Sequence, residues 1–305
     1  MADTASRSRR LIVMADDFGI GPETSRAILE LAREEKVTGT VVIVNCPYAA
    51  DAITQWKRSN VPLEIGWHPN LTLDRPLTRP ELVPSLVGPD GRFHSLGTFM
   101  KRLLLGRIRW ADTEVELLAQ YKRFIDLVGR PPAFLNGHQH IHIFSPISEA
   151  VAGILERQSP RPYVRRVREP WSMYFQVPGA RLKRTMLGIA AKRTARLYDA
   201  LGCPANDWLA GVTDPKYVKD PNYLTRWLSR LPGRVVELTC HPGHWDETLH
   251  GRDCEVGDGK AQRRVDELTR LRDPSFVQAC RRADFQLVSV GQLMSPRSVS
   301  VGRAA

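Results

Sequence analysis

Several features are scarce in this chain of 305 residues, and each absence excludes a class of protein. No stretch approaches the 18 or so consecutive apolar residues of a membrane-spanning helix. The five cysteines include no CxxC pair and no framework spacing, which argues for reduced thiols rather than disulfides. Residues 1–10 are polar and basic and lack the apolar core of a signal peptide. We therefore expect a cytoplasmic protein that does not cross a membrane.

Acidic residues are also outnumbered, with 33 Asp and Glu against 44 Lys and Arg and a formal net charge of +11. A basic surface attracts nucleic acids, phosphates and anionic membranes. Much of the excess lies in the segment 157–196, and no nucleic-acid-binding motif accompanies it. We expect no nucleic-acid partner. For the basic segment 181–196, a peripheral membrane or glycolipid contact and an oligomer contact both remain open.

Short apolar runs alternate with helical patterns along the chain, which predicts βαβ units and a parallel sheet. A barrel gathers the carboxyl ends of all its strands at one face, and polar motifs follow several of the runs immediately. We therefore predict an α/β fold, a single-domain (β/α) barrel over 11–292 with flexible tails at 1–10 and 293–305. The Pro- and Gly-rich segment 69–99 is predicted to be a surface excursion. The expected strands are 11–15, 41–45, 63–67, 133–135, 164–167, 235–239 and 285–290, and the main helices are 22–35, 48–58, 113–127 and 180–201.

The first apolar run ends in two adjacent aspartates, Asp16 and Asp17. Side chains alternate along an extended chain, so one carboxylate can bind a metal while its neighbour faces a substrate. Aspartates at this position can equally cap a helix or form a turn. The pair by itself leaves both interpretations open.

Histidines follow three further apolar runs, at His68, at His138 and at His241. His138, His140 and His142 alternate, so an extended backbone would place all three imidazoles on one side. Such alternation is typical of a metal site, because neutral imidazole is a common metal ligand. Each histidine alone could be structural. Together with the aspartate pair they indicate a catalytic metal centre.

These motifs resemble those of the ChbG/HpnK (YdjC-like) carbohydrate deacetylases, in the same order and at similar spacing. The resemblance covers most of the chain. The basic middle, with 168–170 and 181–196, is closer to the branch associated with hopanoid biosynthesis. Two positions depart from the common pattern: Asn136 stands where many members have aspartate, and Gln139 where many have histidine. The matching segments are 14–19, 66–68, 136–142 and 240–242.

The resemblance implies a variant (β/α) barrel of the polysaccharide-deacetylase type and one divalent ion, Mg²⁺ or Zn²⁺. It implies Asp17, His68 and His138 as metal ligands, Asp16 as general base and His241 as general acid. The implied reaction is hydrolysis of the N-acetyl group of an amino sugar, free or lipid-linked. One ion suits this reaction because it can activate water and polarise the carbonyl.

Three further residues are candidates either to contact the substrate or to hydrogen-bond to the metal ligands: His140, Arg168 and Asn136. Arg168 could orient Asp16 or a substrate oxygen through its fork of donors, or it could form an ordinary surface ion pair.

Two other functions remain open from the residues alone. One is a non-catalytic basic protein that binds RNA or anionic lipid, with structural histidines. The other is a metal-dependent hydrolase of a different bond; a two-metal phosphoesterase is disfavoured because the chain shows no further carboxylate cluster.

Overall fold

A parallel β-sheet forms the centre of the computed structural model, which describes residues 8–295. The strands are hydrogen-bonded in the order β5-β4-β3-β2-β1-β7-β6, and β8 pairs with the first residues of β1. Every pairing within the sheet is parallel. The strands are β1 Arg9–Phe18, β2 Gly39–Val42, β3 Glu64–Trp67, β4 Phe134–Leu135, β5 Tyr163–Val164, β6 Trp208–Ala210, β7 Val235–Cys240 and β8 Phe285–Leu287.

Helices connect these strands, as the alternating sequence pattern predicts. Helix α1 follows β1 directly, and its buried face contacts that strand. The helices are α1 Pro22–Arg33, α2 Ala49–Ser59, α3 Leu96–Leu104, α4 Trp110–Val128, α5 Ile147–Leu155, α6 Met173–Gln176, α7 Arg181–Ala200, α8 Pro215–Val218, α9 Tyr223–Leu228, α10 Lys260–Arg272, α11 Pro274–Arg282 and α12 Val290–Met294.

Strand β1 lies at the centre of the sheet and is buried from Leu11 to Phe18. Strands β2 and β7 flank it on either side, so both edges of its backbone are hydrogen-bonded. A strand that is buried on both faces has a continuous apolar sequence, whereas a half-buried strand alternates apolar and polar residues. The run 11–15 is therefore the sequence signature of this central position, and it delivers the aspartate pair to the carboxyl end of the sheet.

The two end strands, β5 and β6, approach each other through an irregular seam. The side chain of Asn206 accepts a hydrogen bond from the Arg166 N–H at 2.7 Å and donates one to the Arg166 carbonyl at 2.9 Å. The Leu209 N–H donates to the Arg168 carbonyl at 2.9 Å. An asparagine amide thus takes the place of a peptide group in the seam. The sheet curls into an incomplete barrel, which confirms the predicted α/β variant of the (β/α) barrel.

Among the described residues, strand β1 is the first element and helix α12 is the last. Strand β1 begins at Arg9 and α12 ends at Met294, each within two residues of the predicted tail boundaries. The remainder of the predicted tails, 1–7 and 296–305, falls outside the described residues. Among residues 8–295, no helix is both long enough and apolar enough to cross a bilayer.

The segment 69–99 lies mostly at the surface, as predicted, but about a third of its residues are buried. Leu71, Val83 and Leu86 are fully buried in the main core. The side chain of Gln120 on α4 donates to the Asn70 carbonyl at 2.7 Å and accepts from the Asn70 N–H at 3.0 Å. Isolated apolar residues pack into the core and hold the segment there. The Pro- and Gly-rich composition of the segment gives no sign of them in the sequence.

Candidate active site and metal centre

The polar residues that follow the strands converge on one cavity at the carboxyl end of the sheet. The cavity has a volume of about 540 Å³, and Asp16, Asp17, His138, His140 and His241 all line it. A parallel sheet brings the ends of its strands together in this way, although the residues are far apart in sequence. The predicted convergence of the aspartate and histidine motifs is therefore present in the structure.

Asp17, His68 and His138 form a buried group that could hold a metal ion. One ligand atom from each residue lies within 4.8 Å of the others. His138 Nδ1 is 2.9 Å from Asp17 Oδ1, and His68 Nε2 is 3.3 Å from the same oxygen. The donor set of one carboxylate and two imidazoles fits Zn²⁺ and is compatible with Mg²⁺.

A hydrogen bond at Nδ1 sets the tautomer of His68. His68 Nδ1–H donates to the Asn136 carbonyl oxygen at 2.8 Å, so Nε2 carries the lone pair that faces the group. Hydrogen bonds of this kind to a backbone carbonyl are how metal-binding histidines are commonly oriented. His138 Nε2 is buried and has no hydrogen-bond partner among residues 8–295. Both observations agree with a ligand role for the two imidazoles.

The backbone of Asp17 adopts a left-handed conformation, with φ at +69°. Such a conformation is uncommon for a residue with a side chain and tends to occur at functional sites. Arg264 Nη2 donates to Asp17 Oδ2 at 2.7 Å and to Asp253 Oδ2 at 2.9 Å. Burial alone would raise the pKa of Asp17, but Arg264 and His138 hold that pKa well below its ordinary value. The carboxylate therefore stays ionised, as a metal ligand must.

Asp16 is bound by a different set of donors from Asp17. Arg165 forms a bidentate pair with it, with Nη1 at 2.6 Å from Oδ2 and Nη2 at 2.8 Å from Oδ1. The Thr239 hydroxyl donates to Oδ2 at 2.9 Å, and Asn136 Nδ2 donates to Oδ1 at 3.3 Å. Burial would raise the pKa of Asp16, but Arg165 lowers it far below its ordinary value.

Arg165 continues into a buried network behind Asp16. Its Nε donates to Glu237 on β7, and the Tyr163 hydroxyl donates to the same carboxylate at 2.6 Å. Burial raises the pKa of Glu237, although Arg165 and Tyr163 both oppose that change. The guanidinium is thus held between two carboxylates, and its orientation toward Asp16 is fixed from behind.

The prediction that Arg168 orients Asp16 is wrong. Arg168 is exposed, its Nε donates to the Asp207 carbonyl at 2.8 Å, and its guanidinium lies over the Trp208 ring. The residue in that role is Arg165, three positions earlier. Strand β5 ends at Val164, so the direction in which the following arginines point depends on the irregular seam with β6.

Replacing Arg165 with leucine is expected to destabilise the fold by about 3–5 kcal/mol, because two buried carboxylates lose their partner. The measurement is the free energy of unfolding in urea. Arg168→Leu is the matched control, since its guanidinium is exposed, and it should change that free energy by about 0.5 kcal/mol or less. An Arg165→Leu variant as stable as the control would show that the network contributes nothing to the fold.

The three alternating histidines do not share one side, so that prediction is wrong. The segment His138–Ile143 is a 3₁₀ turn in which Gln139 and His140 have φ values of +51° and +62°. His140 turns into the cavity. His142 turns inward, where its Nδ1 accepts from the Gly137 N–H at 2.9 Å. Burial lowers the pKa of His142 to about 3, which makes it a neutral structural residue.

Gly137 is required by this local packing. A Cβ atom at residue 137 would lie 2.9 Å from the His142 backbone nitrogen, closer than real contacts allow. The motif Asn-Gly-His therefore combines three roles in the described structure. Asn136 contacts Asp16 and His68, Gly137 permits the tight turn, and His138 joins the metal group.

His241 follows β7 and lines the cavity with its side chain 28% exposed. Its Nδ1 is buried, 3.7 Å from Glu267 Oε2, and its backbone N–H donates to the same carboxylate. Burial would raise the pKa of Glu267, but Arg263 and His241 lower it to about 2. The ionised Glu267 binds the His241 backbone and faces Nδ1, so Nε2 is the nitrogen left to meet a ligand.

Sequence reasoning missed Arg165, Glu237, Arg264 and Glu267. Two of them carry a usable signal: Glu237 interrupts the apolar run of β7, and Arg165 directly follows the apolar end of β5. A charge within or just after a buried strand needs a partner. Arg264 and Glu267 lie on the amphipathic helix α10 among many charged residues, and no such signal separates them from a solvated helix face.

The chain is similar to several known proteins over most of its length. A family model described as YdjC-like protein matches residues 10–282. A carbohydrate deacetylase of Geobacillus stearothermophilus is 30% identical over 285 residues, covering 92% of this chain and 96% of that protein. A carbohydrate deacetylase of Danio rerio is 27% identical over 309 residues, covering 91% and 96%.

A chitooligosaccharide deacetylase of Klebsiella pneumoniae (strain 342) is 39% identical over 145 residues, covering 47% of this chain and 54% of that protein. Among solved structures, one from Enterococcus faecalis V583, named for cellobiose-phosphate cleavage, superposes with a TM-score of 0.76. It covers 94% of this chain and 99% of its own at 22% identity, which shows a common fold.

Proposed function

The chain belongs to the YdjC-like protein family, and on that premise we propose that it is a metal-dependent carbohydrate N-deacetylase. The substrate is an amino sugar, and the products are acetate and the free amine. The observation that carries the proposal is the buried Asp17–His68–His138 group beside a second, differently bound aspartate, Asp16. The names of the full-length relatives support the same reaction.

The metal ligands are Asp17, His68 and His138, and the ion is Zn²⁺ or Mg²⁺. A divalent ion bound there supplies a Lewis acid for the acetyl carbonyl and lowers the pKa of a water molecule. Arg264 contributes by binding the outer oxygen of Asp17, so that Oδ1 remains turned toward the two imidazoles. Asn136 contributes by fixing the tautomer of His68.

Asp16 is the general base in this proposal. A carboxylate has about four lone-pair positions, and Arg165, Thr239 and Asn136 direct four hydrogen bonds to them. The contact from Asn136, at 3.3 Å, is the longest of the four. An attacking water molecule takes the place of that contact and gives its proton to Oδ1, while Arg165 holds the carboxylate in position.

His241 is the general acid. An amine leaves only when its nitrogen is protonated, and a histidine that lines the same cavity as Asp16 can deliver that proton. Glu267 binds the backbone and faces Nδ1 of the same residue, so that Nε2 points to the substrate. His140, which is kept neutral by burial and by Arg165, lines the cavity as a hydrogen-bonding contact to the sugar.

The test is acetate release from a panel of N-acetylated sugars, both free oligosaccharides and glycolipids. Protein stripped with a chelator should release no acetate, and added Zn²⁺, Mg²⁺ or Mn²⁺ should restore release from at least one substrate. No release with any ion would contradict the reaction. If the stripped protein also takes up no ion, the metal centre is contradicted as well.

A further inference from the structure

Helix α7 has two opposite apolar faces, and only one of them is covered. Leu187 and Tyr198 pack against the body of the protein. Leu182, Met186 and Ile189 follow one another at spacings of four and three residues, which places them on a single face. That face is open: Leu182 is 76% exposed and Ile189 is 66% exposed.

Two further large apolar side chains are exposed on the segment that precedes α7. Trp171 and Phe175 are also largely exposed, the latter by 82%. The Trp171 ring contacts Tyr174 edge-to-face at 5.0 Å, and the Arg184 guanidinium of α7 lies over that tyrosine. Single exposed apolar residues are ordinary, whereas large side chains grouped on one surface mark an interaction site. We call Trp171, Phe175, Leu182, Met186 and Ile189 the α6–α7 face.

Basic residues surround this face. Arg181, Lys192, Arg193 and Arg196 are exposed on α7, and within residues 8–295 none of them is in an ion pair. The single acidic residue of the helix, Asp199, is paired with Arg166. An apolar face flanked by unpaired Lys and Arg is the pattern of a helix that lies in a membrane interface.

Helix α7 also contributes to the lining of the active-site cavity. Lys183, adjacent to Leu182 in the chain, lines the cavity. Glu255 lines it from another segment, and its neighbour Val256 is almost completely exposed. Apolar side chains are thus presented outward beside two different lining residues.

We propose that the α6–α7 face docks onto the surface of an anionic lipid bilayer. The apolar side chains enter the boundary between headgroups and acyl chains, and the anionic headgroups attract the basic residues. A second copy of this chain is a poorer occupant, because a symmetric contact would bring the unpaired basic residues of both copies together. A nucleic acid would use the charges and leave the aliphatic stripe without a partner.

The experiment measures sedimentation of the full chain with vesicles of phosphatidylcholine alone or mixed with phosphatidylglycerol. We expect binding to the anionic vesicles to be stronger by about tenfold or more, and to weaken as salt is added. The double variant Leu182→Ser/Ile189→Ser and the double variant Lys192→Glu/Arg193→Glu should each reduce that binding by about tenfold. Leu104→Ser on α3 is the matched control, since Leu104 is equally exposed at another surface, and it should bind as the unchanged chain does.

Equal binding to both vesicle types would overturn the proposal, as would a serine double variant that binds like the unchanged chain. A dimer in light scattering that the serine substitutions convert to monomer would assign the face to a second copy instead. The docking proposal does not depend on the proposed reaction. The unchanged chain and the two double variants should release acetate from a water-soluble oligosaccharide at the same rate. If none of them released acetate, the proposed reaction would fail, but the vesicle result would still stand.

Discussion

Replacing His68 or His138 with alanine is expected to abolish metal binding and acetate release together. Both imidazoles face Asp17 Oδ1 within a buried group, so removal of either leaves two ligands in a site closed to replacement by other side chains. Loss of a residue behind the ligands typically costs about 10–100-fold in metal affinity or activity, and loss of a ligand itself should cost at least a hundredfold. Metal content after dialysis and the rate of acetate release measure the two effects.

His244→Ala provides the matched control for these substitutions. His244 lies close by in the sequence of the closing motif, but its Nε2 binds Glu30 at 2.8 Å and it does not line the cavity. That variant should keep its metal and most of its activity. A His138→Ala protein with a full complement of metal would show that the ion is bound elsewhere, and the ligand assignment would then fail.

Replacing Asp16 with asparagine is expected to leave the metal bound and to lower kcat by about 10²–10⁴-fold, the usual contribution of a general base. Asp16 makes no contact with His68 or His138, whereas its neighbour Asp17 contacts both. The measurement combines kcat with metal content on the same preparation. An Asp16→Asn protein that binds a full complement of metal but turns over slowly has lost a proton acceptor and not a metal ligand.

Asp214→Asn is the control for the loss of a negative charge in the same cavity. Asp214 lines the cavity, and its carboxylate accepts a hydrogen bond from the Ala180 backbone rather than contacting the aspartate–histidine group. Its substitution should change kcat only slightly. Asp16→Asn protein that keeps full activity would remove Asp16 from the role of base, and metal loss in that variant would make it a ligand.

The prediction from sequence was most reliable where a local pattern decides the structure. The run 11–15 and the run 235–239 are both strands, and Asp16, Asp17 and His241 follow them as expected. Burial on both faces selects apolar residues at every position of such strands, so the pattern is visible in a short window. Because parallel strands share a direction, their carboxyl ends and the polar residues there must meet at one edge of the sheet.

The prediction failed where the backbone departs from regular structure. His138, His140 and His142 alternate in the sequence, but left-handed conformations at Gln139 and His140 turn the imidazoles to different surroundings. Nothing in the local pattern distinguishes this turn from an extended segment. The turn is stabilised by contacts with Pro69 and Arg165, which come from other parts of the fold.

The sequence by itself therefore determined the fold class, the order of the motifs and the residue types that meet at the site. The tertiary structure decided which side chains complete it. Arg165 binds Asp16 across a separation of 149 residues, and Arg264 binds Asp17 across 247. Pairing of buried charges depends on distances that only the folded chain sets, because each charge must find a partner wherever the packing of strands and helices places one.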